Sequence, residues 1–144
     1  RLLSGNNFQQ QAEVIRSLLA DYNVTKIVID TSGIGAAVFQ LVQGFFPLAV
    51  GIKYTAELKA MMVNKALDLF RTKRVEWDAM RSKDMVVSFT GIRRQMTANG
   101  RAVTYVANRS AAASHCDLAW AAMMVFYQEP LDGSMNGGFS VECD

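Results

Sequence analysis

Histidine occurs once in these 144 residues and cysteine twice. Cys116 and Cys143 form neither a disulfide framework nor a zinc-ligand pattern. So few thiols are read most simply as a reducing, cytoplasmic setting. No apolar run reaches the ~18 residues that a membrane-spanning helix needs, so no crossing of a bilayer is expected. Arg1 is not followed by an apolar h-region, so no signal peptide is expected. No G-x-x-x-x-G-K-[ST] string occurs, which excludes a P-loop nucleotide site within the chain. No internal repeat is visible. Initiator methionine is lacking too, so a piece of a longer protein is expected.

Hydrophobic residues make up 51% of the chain, enough for a real core in one domain. The net charge of +2 conceals a segregation. Residues 1–52 are neutral, residues 53–109 carry twelve basic against five acidic side chains, and residues 110–144 carry five acids and no base. A basic middle suits a polyanion, although a solvated surface has the same composition.

Ala12, Ile15, Leu18, Leu19 and Tyr22 recur at helical spacing and predict a helix over residues 9–22. The β-branched stretch 25–29 predicts a buried strand, residues 35–44 a helix, and residues 48–52 a second strand. Together they make a β-α-β unit with a parallel pair. Thr55 is placed to cap a helix reaching Arg71, with Leu58, Met61, Met62, Ala66, Leu69 and Phe70 on its apolar face. A short extended piece at 75–77 follows. Asp78 is placed to cap the next helix, which turns Met85, Phe89 and Ile92 to one side. Residues 93–107 read as a hairpin turning at Asn99-Gly100. The last helix is expected over 111–127, buried on every face from Leu118 onward. We expect residues 1–127 to form the folded body and 128–144 a loose, acidic, glycine-rich tail.

Two acids stand out. In "VIDTSGIG", Asp30 closes a buried strand, and Gly33 and Gly35 keep the backbone low beside it. A carboxylate there can bind a hard cation such as Mg²⁺. It can equally serve as an Asx-turn into the following helix. In "SHCDLAWAAMM", Asp117 opens an otherwise apolar helix, where the helix dipole alone would favour an acid. Alternatively it leans toward Asp30 so that the two share metal ions. His115 suits an acid/base role or a plain cap better than a ligand's role, and Cys116 suits packing. The basic candidates for contact with a phosphate backbone are Arg93, Arg94, Arg101 and Arg109 around the hairpin, with Lys53, Lys59 and Lys65 beside them. Lys73, Arg74, Arg81 and Lys83 read as ordinary exposed charges, and the eight methionines as core filling.

Taken in order, "KIVIDTSGIG", "GIKYTAELKAMMVNKALDL", the Asn-Gly hairpin and "SHCDLAWAAMM" resemble the nuclease domain of tailed-phage terminase large subunits, from about residue 8 to 127. The resemblance implies an α/β, RNase H-like fold: a mixed sheet flanked by helices, here expected to lack its first strands. It implies a divalent-metal-dependent endonuclease that cuts concatemeric DNA for packaging, using a cluster of acids around two ions, Mg²⁺ or Mn²⁺. Asp30 and Asp117 match two of the family's acids. The family's first acid lies on an upstream strand for which residues 1–11 offer no counterpart. Cys116 stands where the family often has glycine. The implied partners are double-stranded DNA, an ATPase motor domain in the parent polypeptide, the terminase small subunit and the portal. The implied location is the bacterial host cytoplasm. Another RNase H-like nuclease of the resolvase or transposase type, and a non-catalytic DNA-binding or docking module, are the competing readings. An actin-like nucleotide-binding fold would need a second Asp-x-Gly loop, which the chain lacks.

Overall fold

The computed structural model describes residues 7–78, 80–107 and 116–129. The chain falls into two compact units, Arg1–Tyr54 and Thr55–Asp144.

The first unit begins with helix α1, Phe8–Asp21, close to the expected span. Asn7 and Gln10 form a capping box: the Gln10 N–H donates to Asn7 Oδ1 at 2.8 Å, and the Asn7 N–H donates to Gln10 Oε1 at 3.0 Å. Strand β1 (Val28–Asp30), helix α2 (Gly35–Gln43) and strand β2 (Val50–Ile52) follow. The two strands pair in parallel with Val28, Ile29 and Asp30 opposite Val50, Gly51 and Ile52, as a β-α-β unit requires. Both strands are shorter than their apolar runs because the ladder spans only these three pairs. The core of this unit is Ala12, Val38, Val42 and Ala49, flanked by Ile15, Ile27, Ile29, Phe39, Phe45 and Phe46. The apolar stripe on α1 is therefore used only in part: Leu18 and Tyr22, expected inside, are 41% and 62% exposed.

The second unit begins with helix α3, Ala56–Arg71, where Thr55 Oγ1 accepts the Leu58 N–H at 3.1 Å as the sequence predicts. Its buried positions are Met62, Val63, Ala66 and Leu69; Met61, expected among them, is 46% exposed. Residues 75–77 join no ladder. Trp77 packs instead into an aromatic cluster, stacked on Phe89 at 5.4 Å and edge-on to Phe70 at 5.2 Å, with Phe126 edge-on to Phe70 at 5.9 Å. Asp78 does not cap the next helix. Its Oδ1 accepts the Met80 and Arg81 N–H groups in a separate turn, and helix α4 (Lys83–Thr90) starts only after Ser82.

Strands β3 (Ile92–Met96) and β4 (Val103–Ala107) form the antiparallel hairpin, joined by residues 97–102. The Gly100 N–H donates to the Thr97 carbonyl at 2.8 Å, with Gly100 at φ +65°, the left-handed region that glycine enters without strain. Helix α5 (Asp117–Tyr127) packs against α3 and α4, and β4 packs against α3. Helix α5 is not buried all round. Ala119, Trp120 and Met123 are inside, whereas Ala121 is exposed and Val125 is 49% exposed. A helix of uniform hydrophobicity carries no periodic signal to say which side is covered. Parallel and antiparallel pairing thus both occur, in two separate two-stranded ladders. No helix among the described residues is long and apolar enough to cross a membrane. The expected tail lies almost wholly outside the described residues.

Candidate functional site

Asp30 is the last residue of β1 and is half-buried. Its Oδ1 accepts the Ser32 N–H at 2.8 Å, so the Asx-turn read from the sequence is present. Among the described residues, no other hydrogen bond or ion pair reaches this carboxylate, which leaves it able to bind a further group. Two side chains of the loop tie it to β2. Thr31 Oγ1 donates to the Ile52 carbonyl at 2.9 Å, and Ser32 Oγ accepts the Tyr54 N–H at 3.2 Å. The glycines complete the turn. Gly33 takes φ +65°. Gly35 lies so close to the strand end that a Cβ on it would stand 1.9 Å from the Asp30 carbonyl oxygen. Any side chain at position 35 therefore displaces the backbone that aims Asp30.

Asp117 opens α5 and is exposed. In the first turn its charge is stabilised by the helix dipole. The residue before it is unusual: Cys116 is fully buried and sits at φ 57°, ψ 32°, in the left-handed region. A glycine would take this conformation without strain. The helix start gets its side-chain hydrogen bond from elsewhere, since Ser88 Oγ on α4 accepts the Ala119 N–H at 2.9 Å. Sequence reading missed Ser88 altogether. Its only advance signal was a serine among the apolar residues of a short helix.

The basic candidates are dispersed. Lys53 is exposed just beyond β2 in the first unit. Lys59, on α3 in the second, holds its ammonium 5.5 Å from the centroid of the Trp120 ring, a cation–π contact. Arg93 and Arg94 are exposed neighbours on β3, so their side chains leave opposite faces of the hairpin. Arg93 is also engaged, donating from Nη1 to the Thr90 carbonyl at 2.9 Å. Arg101 is exposed in the turn. Lys65 is tied to the end of α5, its Nζ donating to the Glu129 carbonyl at 2.5 Å. Arg74 is no ordinary exposed charge: it pairs with the Glu129 carboxylate at 2.6 Å. Arg81 makes a looser, exposed pair with Asp78 at 3.6 Å. His115 and Arg109 lie outside the described residues.

Carboxylates are the donors that suit a hard divalent cation, and Asp30 and Asp117 are both such donors, each at the end of a regular element. Among the described residues no three His, Cys, Asp or Glu side chains lie together as a ready metal cluster.

A β-α-β unit with a strand-end acid, followed by a helical unit with a hairpin and a helix-start acid, defines a mixed α/β protein. In keeping with that class, the fold matches the large terminase nuclease from thermophilic phage G20c, solved with bound cobalt, at a TM-score of 0.70 and 18% identity. The match covers 88% of this chain and 64% of that one. Residues 2–129 match the family model of the terminase RNase H-like domain, and the chain belongs to that family. It is 48% identical over 132 residues to the terminase ATPase subunit of Escherichia phage P2, covering 92% of this chain and 22% of that protein. It is 37% identical over 118 residues to the probable terminase ATPase subunit of Haemophilus phage HP1, covering 81% of this chain and 19% of that protein. The chain thus spans about a fifth of the length of these relatives.

Proposed function

We propose that these residues form the nuclease part of a phage DNA-packaging terminase large subunit, which cuts concatemeric double-stranded DNA with divalent metal ions. Membership of the terminase RNase H-like family over residues 2–129 supports this reading most. The cobalt bound in the structurally similar G20c nuclease favours divalent-metal use. We assign Mg²⁺ or Mn²⁺ as the working ions, two per site, held by Asp30, Asp117 and a further acid from a longer polypeptide. When bound, such ions activate a water and offset charge on the leaving oxygen of a phosphodiester.

The chain's own residues supply the rest. The Asp30 and Asp117 carboxylates hold the ions without competing as nucleophiles. His115, next but one to Asp117, is the candidate to carry a proton. Lys53, Lys59, Arg93, Arg94, Arg101 and Arg109 draw in the phosphate backbone, and their contribution weakens with salt. In the parent polypeptide an ATPase motor supplies translocation, with the small subunit and portal as partners, in the host cytoplasm.

The competing reading, a non-catalytic docking module, draws on one observation: each acid also has a structural task, Asp30 in its turn and Asp117 at a helix dipole. A plasmid-nicking assay with Mn²⁺ separates the two. In the full-length polypeptide, Asp30→Asn and Asp117→Asn each abolish cleavage while circular dichroism and melting stay near wild type. Full cleavage by both variants would leave the acids as caps and the nuclease assignment without a site. The basic surface is tested by Arg93, Arg94 and Arg101 all changed to Glu, which lowers duplex affinity and flattens its salt slope. Unchanged binding would show the hairpin to be merely solvated.

A further inference from the structure

Ser88 is the one buried polar side chain among the described residues, 4% exposed. It lies on α4, on the side turned away from the exposed Thr90, and its hydroxyl accepts the Ala119 N–H at 2.9 Å. Ala119 is the third residue of α5. The side chain of a Ser, Thr, Asp or Asn N-cap would accept that N–H. Here the N-cap is Cys116, which makes no side-chain cap bond and whose backbone is left-handed rather than extended. A thiol is in any case a weak acceptor. Helix α4 therefore supplies, from 31 residues earlier in the chain, the acceptor that the helix start lacks.

We infer that Ser88 is a positioning residue for Asp117: its hydroxyl fixes the first turn of α5 and so the direction in which the Asp117 carboxylate leaves the helix. The inference rests on the reading of Asp117 as a metal ligand. Asp117 and Ala119 share that first turn, where the initial N–H groups have no partner within the helix. Without the Ser88 oxygen, the Ala119 N–H is buried with no acceptor, and the turn must unwind or admit water to satisfy it. Either response shifts Asp117. A carboxylate that must meet an ion at ~2.0–2.6 Å tolerates little displacement. Groups that orient a ligand from behind commonly change metal affinity by about 10–100-fold when removed.

The test measures Mn²⁺ affinity by electron paramagnetic resonance, and metal-free melting, in the full-length polypeptide. Ser88→Ala is expected to weaken Mn²⁺ binding about tenfold. Ser88→Thr keeps the hydroxyl and is expected to restore affinity to within about twofold of wild type. Ser88→Cys fills the site with a poorer acceptor and falls between them, which preserves the test if Ser88→Ala folds badly. Val42→Ala, a core truncation in the other unit, lowers melting without moving Mn²⁺ affinity. If Ser88→Ala and Ser88→Cys lower melting yet bind Mn²⁺ as wild type does, the hydroxyl is only structural and the inference is overturned. Asp117→Asn reads the premise separately. Wild-type Mn²⁺ affinity in that variant removes Asp117 as a ligand, whereas its loss beside an unaffected Ser88→Ala removes only the positioning role.

Discussion

The unit Arg1–Tyr54 holds Asp30 by backbone, whereas the unit Thr55–Asp144 holds Asp117 by a side chain from a distant helix. Around Asp30 nearly everything is local. The Asx-turn reaches two residues ahead, Gly33 takes a left-handed φ, and Gly35 presses against the strand end. The β1–β2 ladder and the bonds from Thr31 and Ser32 reach across to β2 and Tyr54. Around Asp117 the local chain is poorly suited to its conformation: Cys116 is left-handed and caps nothing through its side chain. The deficit is met by Ser88 and by burial of Cys116, Ala119 and Trp120. A site built from local geometry is vulnerable to added bulk. One built on tertiary contact is vulnerable to the loss of a single polar atom.

Substitutions can break that contrast, beginning with glycine. Gly35→Ala places a Cβ 1.9 Å from a backbone oxygen, so the strand-to-helix turn must move. The expected loss is about 3 kcal/mol in urea unfolding, with early amide exchange over Val28–Asp30. In the other unit, Gly100→Ala has open space around its Cβ and meets only the left-handed φ. Its expected cost is about 1 kcal/mol. Equal costs at the two positions would show that the strand-to-helix turn yields readily, so that the close approach at Gly35 matters little.

The smallest effect is expected at Cys116. Cys116→Gly relieves about 1 kcal/mol of left-handed strain while giving up a buried thiol, so its net change is near zero. Cys116→Ala loses the sulfur, retains Cβ and keeps the strain. Glycine is therefore expected to be better tolerated than alanine in thermal melts, the reverse of their usual order. If alanine is the milder change, packing of the thiol outweighs the backbone term.

How far the sequence could be read follows the same division. The β-α-β unit, the Asp30 turn, the Thr55 cap and the hairpin were legible because each is written within a few neighbouring residues. Errors arose where tertiary context decides. Met61, Met62 and Val63 are three consecutive apolar residues, and only packing selects Met62 and Val63 for the interior. Asp78 looked like a helix cap because a capping acid and a turn acid make the same short-range bonds, and Ser82 starts α4 instead. The uniformly apolar α5 could not announce its exposed side at Ala121 and Val125. Ser88 was invisible because its partner is 31 residues away. The expectation that Asp30 and Asp117 share metal ions came from their strand-end and helix-start placement, and the family resemblance implied it as well. The left-handed backbone of Cys116 is a conformation that glycine takes without strain.

The central proposal is that Asp30 and Asp117 serve the same metal ions. Mn²⁺ titration of the full-length polypeptide, with Asp30→Asn, Asp117→Asn and the double variant, tests it most directly. Carboxylates in a shared site lose binding non-additively: each single change weakens the same ions, and the double variant is little worse than either single one. Independent, additive losses, or wild-type affinity in either single variant, would contradict the claim.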